Sequence, residues 1–149
     1  MRAVVQRALR ARVEVGGEVV GAIELGLVAF VGAGKDDTDA DADYVANKVA
    51  GLRVFPDDAG KMSLALAEVG GGVLAISQFT VFGDMRKGLR PGFDGAMEPV
   101  QAEALYQRFV ASVRAKGLPV ATGRFRADMK VYVDNDGPVT ILIDSKRTF

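Results

Sequence analysis

The chain contains, at residues 73–83, the stretch VLAISQFTVFG, in which an apolar run ends in a cluster of polar side chains. Residues 73–76 are apolar and follow three glycines, which is typical of a buried β-strand that begins after a turn. Ser77, Gln78 and Thr80 then carry polar groups just beyond this run. The stretch therefore predicts a core strand with a polar cluster at its end.

On the N-terminal side of this strand, the patterns predict a hairpin, a second strand and a helix. Residues 12–20 alternate polar and apolar around Gly16 and Gly17, which is typical of a β-hairpin. Residues 27–31 are continuously apolar and predict a buried strand. Residues 38–52 begin with a capping threonine and carry apolar residues at helical spacing, so we expect the first helix there.

On the C-terminal side, residues 63–69 are compatible with a short helix or a loop. Residues 83–98 are rich in glycine, proline and charge, and predict a long surface loop. Pro99 suits the first position of a helix that ends near Gly117. Apolar residues alternate with polar ones over residues 129–143, on both sides of a turn-like segment. We expect one α+β domain, residues 1–149, with two substantial helices and six to eight strands.

The composition limits the chemistry that this chain can perform. The 149 residues include no cysteine and no histidine, which excludes thiolate catalysis, disulfides and the Ser-His-Asp triad. An acidic run at residues 36–43 lacks the glycine and the distal glutamate of a calcium loop, so a helix N-terminus explains it better and no metal site is predicted. Any reaction must use carboxylates, hydroxyls, backbone groups or the substrate itself.

Charge and hydropathy indicate where the protein acts. The first residues lack the apolar segment of a signal peptide, and no apolar run approaches the roughly 18 residues of a membrane span. We therefore expect a soluble cytoplasmic protein with no membrane partner. The 19 basic and 19 acidic residues cancel, which argues against general nucleic-acid binding but permits recognition of an RNA end by a local patch.

Two interpretations of Ser77-Gln78-Phe79-Thr80 are open from the residues alone. Polar residues are common where a strand leaves the core for a loop, so this segment can be purely structural. Alternatively, a strand end holds backbone N–H groups rigidly, where they bind a carbonyl oxygen that develops negative charge. Thr80 supplies a hydroxyl, but no neighbouring base in the sequence would activate it as a nucleophile.

The segment NDGPVT, residues 135–140, is also open to two interpretations. Asn-Asp-Gly between alternating strands is a common hairpin-turn signal. Pro138, however, removes a hydrogen-bond donor where the next strand should begin to pair. A cis bond between Gly137 and Pro138 would turn the backbone carbonyls in directions that ordinary turns do not reach.

Together these motifs resemble the two signatures of the bacterial-type D-aminoacyl-tRNA deacylases, Ser-Gln-Phe-Thr at residues 77–80 and Asn-x-Gly-Pro-Val-Thr at residues 135–140. The resemblance extends to residues 2–8, 47–55, 58–62, 88–93 and 122–129, and so is close to full length. Two departures from the family pattern are Gly92, in place of a serine, and Arg126, in place of a glycine.

The resemblance implies a compact, β-rich, barrel-like fold with β/β/α layers and two main helices packed on one side. It implies hydrolysis, without a cofactor, of the ester that joins a D-amino acid, or glycine, to tRNA. The site residues that it implies form two groups. Ser77, Gln78, Phe79 and Thr80 would line the pocket for the aminoacylated 3′-terminal adenosine.

The second implied group belongs to a homodimer. Gly137 and Pro138 would enter the pocket of the partner subunit and reject L-amino acids, and Met129 and Arg7 would support them. The missing histidine fits a route in which a ribose hydroxyl of the substrate assists the reaction. Two other interpretations compete with this one: a non-catalytic nucleic-acid-binding module on the same scaffold, with DNA not expected as a ligand, and a small-molecule esterase or amidase that uses Thr80.

Overall fold

The structure is a computed structural model that describes all residues, 1–149. The strands are β1 (Arg2–Val15), β2 (Glu18–Ile23), β3 (Gly26–Gly32), β4 (Phe55–Pro56), β5 (Met62–Leu64), β6 (Gly72–Ser77), β7 (Val120–Thr122) and β8 (Lys130–Asp144). The helices are α1 (Asp39–Gly51), α2 (Leu66–Val69) and α3 (Pro99–Arg114). A 3-10 turn, Phe79–Phe82, follows β6.

The long strand β1 organises a nearly closed barrel. Its first half pairs with β3 and its second half with β2, while β8 pairs with it from the other side over almost its whole length. Strands β6 and β7 continue the sheet from β3 in parallel pairing. Gly21 of β2 packs against the carbonyl of Thr122 in β7, where a side chain would collide with the backbone. This contact brings the two ends of the sheet together.

Alternation along the strands creates two cores, because successive side chains point to opposite faces of a sheet. Val28 of β3 and Leu74 of β6 point into the barrel, whereas their neighbours Leu27 and Val73 point towards the helices. The barrel interior contains six buried residues, Ala8, Ala11, Val13, Val28, Leu74 and Ile76. The larger core, of 23 buried residues, lies between the sheet and helices α1 and α3.

Helices α1 and α3 cover one face of the barrel. Val45 and Val49 of α1, and Phe109 and Val113 of α3, are fully buried at helical spacing against the sheet. Both helices connect parallel strands, α1 between β3 and β6, and α3 between β6 and β7. The predicted β-rich, barrel-like α+β fold with two main helices on one side is therefore confirmed.

Most predicted elements are present, including the hairpin at Gly16-Gly17, the strands at 27–31 and 73–77, and both main helices. The segment 63–69 contains both a short strand and a short helix. None of the helices has the length and the hydrophobicity of a membrane span, and the longest, α3, has 16 residues.

Of the two interpretations of residues 135–138, the structure does not adopt the hairpin turn. Strand β8 runs through this segment, and both of its halves pair with β1. Gln6 pairs with Thr140 and Ala8 with Asn135, so residues 136–139 bulge out opposite Arg7. The local turn signal is real, but pairing with a strand more than a hundred residues away converts it into a bulge.

Candidate active site

A cleft of about 500 Å³ lies at the carboxyl end of β6, which is the usual place for a ligand site in a sheet with parallel strands. Its lining includes Ser77, Gln78, Phe79, Thr80 and Met129. The structure thus brings five of the eight predicted site residues to one cavity, although residues 77–80 and Met129 lie on different elements.

The sheet and the 3-10 turn position the polar cluster. Val31 of β3 pairs with Ser77, and the Gln78 N–H donates to the Val31 carbonyl at 2.8 Å, which extends this pairing by one residue. The chain then enters the 3-10 turn, where Gln78 Nε2 donates to Thr80 Oγ1 at 2.8 Å. Arg2 holds the far end of the turn, because its guanidinium carbon lies 4.6 Å from the ring centroid of Phe82.

The turn leaves two backbone donors at the cleft. Phe79 and Thr80 are its first two residues, so their N–H groups have no acceptor within it. The backbone hydrogen bonds of the surrounding loops do not use them either. Two residues that line the cleft therefore keep adjacent backbone N–H groups without a partner in the chain.

Aromatic and aliphatic side chains form the walls of the cleft. Phe79 is 57% exposed and meets Phe93 edge to face, with 5.0 Å between ring centroids. Phe125 and Met97 also line the cavity. Phe93 closes a surface loop in which Asp84 and Gly92 pair in a short antiparallel bridge. The wall is thus built by the loop expected at residues 83–98 together with the segment that precedes β8.

The cleft contains no side chain suited to general acid–base catalysis near neutral pH. None of its lining residues is an aspartate, glutamate, lysine or histidine. Tyr106 is buried, its hydroxyl donates to the Ala75 carbonyl at 2.8 Å, and burial raises its pKa to about 12. Arg126 is the only lining residue with a charged side chain. Nowhere do three His, Cys, Asp or Glu side chains converge as a metal site.

Gly137 and Pro138 lie outside the cleft of their own chain. Both are exposed at the bulge in β8, and the peptide bond between them is cis. Gly137 has φ +132°, a conformation that favours glycine. A hydrogen bond spans the bulge, because the Asn135 side-chain oxygen accepts from the Val139 N–H at 2.9 Å. The motif is therefore an exposed, braced protrusion.

Arg7 stabilises this protrusion through hydrogen bonds from the protein interior. Its side chain is almost completely buried, Nε donates to the Asp136 carbonyl at 3.0 Å, and Nη1 donates to the Val54 carbonyl at 2.6 Å. Arg7 also lies 3.5 Å from the Asp136 carboxylate. One guanidinium thus connects the bulge to the segment after α1.

Several residues at these two places were not predicted from the sequence to act there. Phe93, Phe125 and Arg126 line the cleft, and Asn135 and Asp136 hold the bulge. The only sequence signal for Phe93 and Phe125 is their position as large apolar residues in otherwise polar, glycine-rich loops. Nothing in the spacing of residues 93 and 125 shows that they meet the end of β6.

Comparison with known proteins identifies the family. The family model described as D-Tyr-tRNA(Tyr) deacylase matches residues 4–144. A D-aminoacyl-tRNA deacylase of Sorangium cellulosum (strain So ce56) is 83% identical over 150 residues, which cover 100% of both chains. A protein of the same name from Symbiobacterium thermophilum is 62% identical over 100% of this chain and 99% of its own length.

Solved structures show the same fold. The "c-Myc DNA Unwinding Element Binding Protein" superposes with a TM-score of 0.91 at 39% identity, over 97% of this chain and 98% of that one. A structure of "a probable eukaryotic D-amino acid tRNA deacylase" has a TM-score of 0.83 at 18% identity, over 96% and 98% of the two chains. With the family match and the full-length identity, these findings establish that this chain belongs to the D-aminoacyl-tRNA deacylase family.

Proposed function

We propose that this chain hydrolyses the ester between a D-amino acid and the 3′ end of tRNA, releasing the amino acid and free tRNA, and that it spares L-aminoacyl-tRNA. The observation that carries this function is a cleft in which a rigid strand end presents backbone donors among side chains that include no base. The curated relatives bear the name of this activity over their full length.

The size and surface of the cleft suit a terminal nucleoside. A volume of about 500 Å³ is within the range of small-ligand sites. The half-exposed ring of Phe79 offers a face on which a nucleobase can stack, an interaction worth about 1–3 kcal/mol per base. A nucleoside held in this way would bring its 3′ ester towards the strand end at Ser77–Thr80.

The chemistry then depends on the backbone and on the substrate. Water attacks the ester carbonyl carbon, and the N–H groups of Phe79 and Thr80 donate to the oxygen as it becomes negatively charged. Since no side chain of the cleft is a suitable base and the Met1 ammonium is bound by Asp37 and Ser145, we assign the proton transfers to the ribose hydroxyl beside the ester. The tetrahedral intermediate collapses with departure of the ribose oxygen, and water supplies the hydroxyl of the free acid.

We propose that the Gly137-Pro138 bulge completes the cleft of a second copy of this chain. Its exposure, its bracing by Arg7 and its position outside its own cleft support this arrangement. A wall made of backbone can exclude the L configuration by collision without reading the side chain. Glycyl-tRNA has no side chain to exclude, so we expect its hydrolysis as well.

The test uses D-tyrosyl-tRNA, L-tyrosyl-tRNA and glycyl-tRNA, with release of the amino acid followed over time. We expect rapid hydrolysis of the D and glycyl substrates and none of the L substrate above the spontaneous rate. Activity should persist in EDTA, because no cluster of metal-ligating side chains is present. Equal rates for D and L substrates, or loss of activity in EDTA that a divalent ion restores, would contradict the proposal.

One relative, at 39% identity, is named as a DNA unwinding element binding protein. A nucleic-acid-binding function is therefore the second candidate. That function predicts affinity for duplex DNA without ester hydrolysis. The net charge of zero argues against it. A filter-binding assay with duplex DNA beside the deacylation assay distinguishes the two functions.

A further inference from the structure

Arg126 has an unusual backbone conformation at the cleft. It is one of two residues other than glycine with positive φ, at 64°, and it lies in a turn closed by the Ala127 N–H and the Arg124 carbonyl. A side chain in this conformation costs free energy that glycine would avoid. Residues in strained backbone conformations cluster at ligand-binding sites, and Arg126, unlike Arg147, lies at the cleft.

The charge of Arg126 is unpaired as well. It is exposed, it is the only charged side chain that lines the cleft, and its guanidinium takes part in none of the ion pairs of the structure. No carboxylate lines the cleft to neutralise it. The other cation of a lining residue, the Met1 ammonium, is already paired with Asp37, so Arg126 is the unpaired cation that an entering anion meets.

We propose that Arg126 binds an RNA backbone phosphate, the one on the 5′ side of the aminoacylated nucleoside. The proposal rests on the proposed function, because a nucleoside whose ester reaches Ser77–Thr80 must carry its 5′-phosphate out through the same cleft. A planar guanidinium offers paired donors that match phosphate oxygens. Arg126 thus positions the substrate and does not take part in the chemical step.

Three variants separate charge from backbone strain. Arg126→Gly removes the charge and suits the positive φ, so the fold should remain intact, with the melting temperature unchanged or raised by up to about 3 °C. Arg126→Lys keeps the charge but loses the paired donors. Arg147→Gly is the matched control, because Arg147 is the other such residue, with φ 57°, and it is exposed and outside the cleft.

The first measurement is binding of uncharged tRNA by fluorescence anisotropy between about 50 mM and 200 mM salt. Arg126→Gly should raise the Kd about threefold to tenfold and flatten the log–log salt slope by about 0.7, which is the value for one contact to single-stranded RNA. Arg126→Lys should keep the wild-type slope. Arg147→Gly should match the wild type in both quantities.

The second measurement compares D-aminoacyl-tRNA with a 3′-D-aminoacyl-adenosine that carries no 5′-phosphate. On tRNA, Arg126→Gly should raise KM by the same factor as Kd and change kcat less than about twofold. On the adenosine ester, it should match the wild type. An unchanged Kd and salt slope in Arg126→Gly, an equal loss in Arg147→Gly, or an equal loss on the adenosine ester would overturn the proposal.

The hydrolase function and the phosphate contact of Arg126 can fail independently, and each failure gives a different result. Wild-type protein that binds tRNA with the Arg126-dependent salt slope, yet releases no amino acid, would contradict the hydrolase function and support the phosphate contact. If the wild-type protein deacylates D-aminoacyl-tRNA and Arg126→Gly has no effect, the hydrolase function is supported and the phosphate contact is contradicted.

Discussion

Phe79 and Thr80 contribute to the proposed reaction through their backbone N–H groups. Phe79 is the first residue of the 3-10 turn, and Gln78 before it is extended, with φ −149° and ψ 94°. Proline is tolerated at such a position, so Phe79→Pro should remove one N–H donor and preserve the turn. We expect kcat to fall about 10²- to 10³-fold, measured by single-turnover deacylation.

The matched control for this prediction is Phe79→Ala, which removes the same ring but keeps the N–H group. It should raise KM more than it lowers kcat. Equal kcat in Phe79→Pro and Phe79→Ala would show that the N–H group does not stabilise the transition state.

The Thr80 hydroxyl accepts a hydrogen bond from Gln78, and the cleft provides no base to activate it. We therefore expect Thr80→Ala to lower kcat by about tenfold or less, because a nucleophile is far more costly to lose than a neutral hydrogen bond. Rapid-quench kinetics provides the measurement. A loss above about a thousandfold, with an acyl-enzyme trapped on the wild type, would identify Thr80 as the nucleophile.

Gly137 leaves no room for a side chain. A Cβ there would lie 2.8 Å from Val139 Cγ2 and 3.2 Å from Arg7 Nη2, and φ is +132°. Gly137→Ala should thus displace the bulge and lower D-aminoacyl-tRNA hydrolysis at least about tenfold, as measured by kcat/KM. Gly117→Ala is the control, since Gly117 also has positive φ but has open space around it. Full activity with strict chirality in Gly137→Ala would place the wall elsewhere.

At the scale of the elements, α1 and α3 are joined by Asp43. Its carboxylate accepts from Arg108 at 2.8 and 2.9 Å and from Ser112 at 2.6 Å, and these hydrogen bonds lower its pKa to about 2. Because the pKa of Asp43 is lower in the folded state, its ionised carboxylate stabilises the fold at pH values above the unfolded pKa of 3.8. This contribution is lost as the pH falls through about 2.

We expect Asp43→Asn to lower the melting temperature at pH 7 by about 1–3 °C, a small change because both partners are well exposed. The difference from the wild type should shrink between about pH 5 and pH 2 in urea unfolding curves. Asp39→Asn is the control, since Asp39 lies 3.6 Å from Arg108 and is 71% exposed. A difference between Asp43→Asn and the wild type that does not depend on pH would contradict the assigned ion pair.

At the scale of the whole molecule, the two motifs lie on different surfaces of one chain, and in the homodimer that we propose this arrangement predicts complementation between subunits. Phe79→Pro and Gly137→Ala should each be nearly inactive alone. Mixed in equal amounts with subunit exchange, half of the dimers are hybrids with one intact site, so activity should recover to about a quarter of the wild-type value.

Mass spectrometry of differently tagged subunits verifies the exchange in this experiment. No recovery despite verified exchange would place both motifs in one chain's own site.

The sequence by itself determined the local elements, the family and the absence of histidine and cysteine chemistry. Hydrophobic periodicity shows which face of each strand and helix is buried, and capping and turn residues show where elements begin. These signals are local, which is why helices α1 and α3 and strands β3 and β6 match their predicted positions. The same locality explains why the residues alone left 135–138 open to two interpretations, because pairing with β1 is encoded in a distant segment.

Only the tertiary structure decided which distant residues share a site. Phe93, Phe125 and Arg126 meet the end of β6 because the loops before α3 and before β8 converge there, and no local pattern encodes that convergence. Arg7 reaches the Asp136 carbonyl because β8 pairs with β1. The position of Arg126 as the one charged side chain of the cleft likewise exists only in the folded chain, because the other lining residues come from segments far away in the sequence.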